Sequence, residues 1–114
     1  MTADELVALI VSLPAVEQSS HFGNLDFRVA NNIFASHPQP DHFNLKLTPE
    51  QQVLLVEAEP DAFRAIPNKW GQRGWTMALA AALDRVTALS AFRMAWMNAA
   101  PANLASTADW VHDH

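Results

Sequence analysis

The chain has 114 residues, half of them hydrophobic and 17% charged, which fits one globular domain and excludes a disordered one. Seven Lys and Arg against twelve Asp and Glu leave a formal charge of −5, a poor starting point for a nucleic-acid binder. There is no cysteine, so disulfides, thiolate metal sites and thiol nucleophiles are excluded. No apolar run approaches the ~20 residues of a membrane span. The best, Leu6 to Leu13, is short and follows Asp4 and Glu5, unlike the basic start of a secretory signal. A cytoplasmic protein is the expectation.

The first predicted element is a helix. Thr2-Ala3-Asp4-Glu5 fits a capping box, and Leu6, Leu9, Ile10 and Leu13 mark one face at helical spacing. Pro14 ends it. Residues 15 to 24 read as a polar connector, with Gly23-Asn24 as a turn. Leu25, Phe27 and Val29 then alternate with Asp26, Arg28 and Ala30, the period of a half-buried strand. Asn31-Asn32 suits a two-residue turn, and residues 33 to 36 read as the return strand. His37 to Asp41, with two prolines, reads as a loop. Phe43, Leu45 and Leu47 alternate with His42, Asn44 and Lys46 as a third strand.

Thr48-Pro49-Glu50-Gln51 predicts a second helix start, with Val53, Leu54 and Ala58 or Val56 on its apolar side and Pro60 at its end. Residues 61 to 66 suggest a short helical turn with Phe63 and Ile66 inward. Residues 67 to 75 hold two of the three glycines and two of the four tryptophans, and read as a loop entering a strand. In that strand Trp75, Met77 and Leu79 alternate with Thr76, Ala78 and Ala80, which places Trp75 in the core. A last helix starts near Asp84 or Thr87, repeats apolar residues at Leu89, Phe92, Trp96 and Ala99, and closes at Pro101. The predicted order is α-β-β-β-α-β-α. It is an α+β fold: an antiparallel sheet of about four or more strands with helices on one face and the other face wet. The domain spans residues 1–101, and residues 102–114 are a C-terminal tail, either a short helix or a frayed end.

Five segments, taken in order, carry a family resemblance: Leu13-Pro14-Ala15-Val16-Glu17, His21-Phe22-Gly23, Phe27-Arg28-Val29, Ile33-Phe34-Ala35 and Leu45-Lys46-Leu47. They are joined by Trp70-Gly71-Gln72-Arg73-Gly74-Trp75 and by Ala91-Phe92 in the last helix. With these the chain resembles the MmcQ/YjbR family over about residues 3 to 100. The resemblance implies a CyaY-like fold, similar in outline to bacterial frataxin. Members are often labelled DNA-binding by fold analogy, which is a weak warrant for function. It supplies no catalytic residues to transfer, and the tail beyond Pro101 lies outside its pattern.

All seven Lys and Arg fall between Arg28 and Arg93, where the net charge is +1 against −4 before and −2 after. Strand alternation places Arg28 and Lys46 on the wet face, and Lys69 and Arg73 lie in the glycine–tryptophan loop. Four cations gathered there would hold phosphates, and Trp70, which could equally pack in the core, would stack on a base. The competing reading scatters these cations as solubilising charges, some paired with Asp26, Asp41 or Glu50. His21 and Asn44 are candidate polar contacts. His21, His37 and His42 follow no metal-ligand spacing, so no metal site or cofactor is expected. The first helix offers only Asp4 and Glu5, which weakens a frataxin-like iron reading. Ser19, Ser20, His21 and Asp26 hold the letters of a nucleophile triad without the strand–elbow–helix context. The expectation is a monomeric, non-enzymatic binding module. Its ligand is nucleic acid through the sheet face and the Trp70 loop; the alternatives are a protein partner or a small ligand, and more weakly metal handling.

Overall fold

The computed structural model describes residues 1–21, 23–108 and 110. Helix α1 (Ala3–Val11) starts on the expected capping box: Glu5 N donates to Thr2 Oγ1 at 3.1 Å and Thr2 N donates to Glu5 Oε1 at 2.9 Å. Those bonds from Thr2 hold the Glu5 carboxyl below its ordinary range. Leu6, Leu9, Ile10 and Leu13 are all buried, as their spacing requires.

Six strands follow from the chain: β1 (Val16–His21), β2 (Asn24–Val29), β3 (Asn32–Gln39), β4 (His42–Lys46), β5 (Phe63–Ala65) and β6 (Trp75–Leu79). They form one antiparallel sheet in the order β1-β2-β3-β4-β6-β5. Helix α2 (Pro49–Ala58) packs against β5 and β6, and α4 (Arg85–Ala99) crosses β2, β3 and β4. Helix α1 lies beside α4 and β1. One sheet face is therefore covered, and the core lies between it and the helices. Phe27, Phe34, Phe43, Phe63, Phe92 and Trp96 are fully buried there. Trp96 satisfies its indole by donating to Pro14 O at 2.9 Å.

Four expectations about strand extent and turns change. The supposed polar connector is β1, an edge strand that pairs only with β2 and shows no alternation because Glu17 to Ser20 are all exposed. The supposed helical turn at 61–66 contains β5, the opposite edge; Phe63 does point inward. The proline loop is strand as far as Gln39, because the ladder shifts register between Ser36 and Gln39 and so tolerates Pro38. The β2–β3 turn is made by Ala30 and Asn31, both at positive φ (49° and 69°), one residue before the expected pair.

In α2 the buried residue is Leu55, while Val53 and Leu54 are exposed, contrary to the expected apolar side. Asp84 caps α4, its side chain accepting from Thr87 N at 2.8 Å. The tail forms a short helix, α5 (Ala102–Ala105), and returns to the domain. Ala108 is fully buried, and Trp110 packs edge-on against Trp96 with ring centroids 5.2 Å apart. Arg93 lies 4.9 Å from the Trp110 ring centroid. His112 and His114 fall outside the described residues. Among the described residues, no helix is long and apolar enough to cross a membrane.

Candidate functional site

The helix-free face is read off the strand registers. Ser19, Asp26, Ser36, Asn44, Met77 and Arg64 are successive cross-strand partners, one from each strand, and form a row across the whole sheet. A second row runs beside it: Glu17 opposes Arg28, Arg28 opposes Ile33, and Lys46 opposes Trp75. Phe27, Ala35, Leu45 and Thr76 alternate with these residues and turn to the helices; all four are buried.

The face is not flat. A cleft of about 500 Å³ opens on it. Asp26, Ser36 and Asn44, cross-strand partners on β2, β3 and β4, form its polar floor. Leu25, Ile33, Pro38 and Ile66 add apolar lining, Trp70 and Trp75 bring two indoles, and Asn24 and Asn68 complete the lining. Trp75 therefore lies opposite its expected place. Thr76 and Ala78 fill the core, while Trp75, Met77 and Leu79 line the helix-free face, each half-buried.

Helix α3 (Lys69–Gln72) replaces the expected loop and carries Trp70 to the cleft. Asn68 caps it, accepting from Trp70 N at 2.9 Å. Gly71 presses its backbone against Ile66, because a Cβ there would stand 1.6 Å from Ile66 O. From the helix layer, Gln52 Nε2 reaches Gly71 O, Trp75 O and Thr76 Oγ1 at 3.0 to 3.1 Å. Trp70 is thus anchored through its backbone while its ring stays 55% exposed. The Trp70 and Trp75 rings meet edge-to-face, 6.4 Å between centroids.

The predicted cations divide. Arg28 Nε donates to Asp26 Oδ1 at 3.1 Å, and Asp26 also accepts from Ser19. The hydrogen bond and charge of Asp26, with Glu17 adding to them, raise the Arg28 pKa and occupy its charge. Lys46, Lys69 and Arg73 are exposed and form no ion pair with a described residue. All three are neighbours of the two indoles in register, in space or in sequence. Lys46 is the register partner of Trp75, Lys69 precedes Trp70, and the Arg73 guanidinium sits 5.3 Å from the Trp70 ring centroid.

Asn44 lies on the cleft floor, and its Oδ1 is enclosed without a hydrogen-bond partner among the described residues. His21 closes β1, and its side chain lies outside what is described. His37 and His42 serve the β3–β4 turn: His37 Nδ1 meets His42 O at 3.1 Å, and His42 Nδ1 meets Asp41 Oδ1 at 2.9 Å. That bond from His42 holds the Asp41 carboxyl below its ordinary range. Among the described residues, no three His, Asp or Glu are placed to share a metal ion. Leu25, Ile33 and Pro38 were not singled out from the sequence. Ile66, read from the sequence as packed inward with Phe63, instead lines the cleft and is only half-buried, because residues 63–65 join the sheet as β5 rather than form a helical turn.

Comparison with known proteins fits this architecture. A crystal structure of a Deinococcus radiodurans protein with a DUF419 domain superposes with a TM-score of 0.68 at 19% identity, over 85% of this chain and 77% of that one. That likeness shows a shared fold. None of the curated proteins compared matches the chain. The family model described as YjbR matches residues 11–97, which takes in β1, the whole sheet, the α3 turn and nearly all of α4. The chain belongs to the YjbR family.

Proposed function

We propose that the chain is a non-enzymatic binding module whose site is the cleft on the helix-free sheet face, and that its ligand is a small flat molecule. The observation that carries this reading is the cleft itself: about 500 Å³, within the usual range for small-ligand sites, with two indoles in its lining. Its polar groups are few, and its one acidic floor residue, Asp26, is engaged by Ser19 and Arg28. Such a site favours stacking and burial over proton transfer.

The test is a titration with 1-naphthylacetamide followed by ¹H–¹⁵N NMR. Shifts confined to Leu25, Ile33, Asn44 and the two indole N–H groups are expected, and Trp70→Ala should weaken them about fivefold or more, the value of an aromatic pair. Absence of shifts at these positions at millimolar probe refutes the reading.

A second reading, DNA binding through the same face and α3, draws on Lys46, Lys69 and Arg73 around an exposed indole. The overall −5 charge opposes it, and the Arg28–Asp26 pair removes one of its four cations. A labelled duplex in dilute buffer decides it. A shift that disappears in Lys46→Glu with Arg73→Glu and falls steeply with salt supports it; no shift at micromolar protein rejects it.

A further inference from the structure

We infer that the cleft selects a flat aromatic ring bearing an anionic group, with the ring between Trp70 and the sheet and the anion at Lys46, Lys69 and Arg73. The inference rests on the cleft being the binding site and adds the chemistry of its occupant.

The two halves of such a ligand meet different surfaces. Ile33, Ile66, Trp70 and Trp75 offer apolar and π surface to a ring. Three of the seven Lys and Arg, Lys46, Lys69 and Arg73, stand near the indoles, and Arg64 lies further across the same face, opposite Met77. Lys46 opposes Trp75 in the β4–β6 register, and by alternation its side chain shares the cleft's face with Asn44. Arg73 lies over Trp70 itself. Lys69 adjoins Trp70 and Asn68, both of which line the cleft.

None of the three cations has a carboxylate partner among the described residues, in a chain where acids outnumber bases twelve to seven. Arg28, on the same face, shows the contrast: it is tied to Asp26. The acid in the cleft is thus already paired, while the cations near the indoles remain available. A ligand that placed its anion at the floor would meet the Asp26 carboxylate, so the charges also set the ligand's direction.

The shared chemistry, a ring with an anion, belongs both to free aromatic acids and to the nucleotides of a nucleic-acid strand. The geometry favours the free molecule. The cleft's volume, about 500 Å³, is that of a small-molecule site, and the net charge of −5 opposes a polyanionic strand.

The experiment compares 1-naphthylacetate with uncharged 1-naphthylacetamide by ¹H–¹⁵N NMR titration at low salt, with a ten-nucleotide thymidine strand in parallel. The carboxylate should bind about tenfold more tightly than the amide, the sum of a few exposed charge contacts, and should lose that advantage in high salt. Lys46→Gln with Arg73→Gln should abolish the difference, while Arg85→Gln, on the helix side, should keep it. Equal affinity for acid and amide overturns this inference and leaves the cleft standing as a binding site. Binding of neither overturns both. A strand that binds the same residues more than tenfold better than the acid, with a steep salt dependence, overturns the free-acid assignment in favour of nucleic acid.

Discussion

Gly71→Ala tests how the cleft is built. A Cβ at this position would stand 1.6 Å from Ile66 O and 2.7 Å from Ile66 C, where contacts below 3.0 Å essentially never occur. Neither neighbour is the end of a flexible side chain. The backbone of α3 must therefore draw back from Ile66 by more than an ångström. Two hydrogen bonds depend on that approach: Asn68 N donating to Ile66 O at 2.9 Å, and Gln52 Nε2 donating to Gly71 O at 3.0 Å. Their loss, at about 1 kcal/mol each, together with about 1 kcal/mol or more of overpacking, amounts to about 3 kcal/mol. For a domain of this size that lowers the melting temperature by roughly 12 °C. Helix α3 has only one turn and lies outside the core, so the strain should release by unseating Trp70 while the sheet survives. Differential scanning calorimetry measures the first effect, and the indole N–H resonances of Trp70 and Trp75 the second. A variant that melts within about 2 °C of the parent, a change no larger than an ordinary surface substitution gives, with both resonances unmoved, refutes the reasoning.

Trp110→Ala should lower stability by about 2 kcal/mol in urea unfolding, because Trp110 covers Trp96 and stacks under Arg93; an unchanged midpoint would show that residues beyond Pro101 do not hold α4. Asp84→Ala should destabilise the protein at neutral pH by removing the α4 cap. The bond from Thr87 N holds the Asp84 pKa below its ordinary 3.8, so its contribution is complete above that value and is lost as the pH falls through the lowered one. Thermal melts of parent and variant should therefore converge only below pH about 3.8, and a gap that persists unchanged into stronger acid contradicts the assignment.

How far the sequence led depended on where each signal came from. Elements that carry their own start and stop were legible: the capping boxes at Thr2 and Thr48, the start of α4 to within the Asp84–Thr87 turn, and the alternation around Phe27 and Leu45. Edge strands were not. β1 has one apolar residue, Val16, and β5 has Phe63, and both exist because a neighbouring strand offers backbone partners. Residue placement on the helix-free face followed alternation for Lys46 and Asn44. The pairing of Arg28 with Asp26, two residues away on the same side of β2, was among the alternatives the sequence left open. No periodicity could decide it, because it depends on side-chain geometry.

The inversion of β6 explains why the cleft itself was hidden. By hydrophobicity, Trp75, Met77 and Leu79 belong inside, and Thr76, Ala78 and Ala80 outside. The opposite holds because the buried hydroxyl has partners. Thr76 Oγ1 donates to Gly74 O at 2.8 Å and accepts from Gln52 Nε2 at 3.1 Å, so burying it leaves nothing unsatisfied. Ala78 and Ala80 are small, and small residues suit a strand with Phe63 and the helix layer packed close against it. The close approach of Gly74 to Leu47 O, where a Cβ would stand at 2.0 Å, fixes the chain just before Trp75 and locks this phase. Helices then cover the small side of β6, and its large apolar side chains are left on the face that no helix covers. Two indoles and the isoleucines beside them thus remain half-open next to cations that pair with no described carboxylate, an arrangement that a folding core does not require and that a flat, charged ligand would complete.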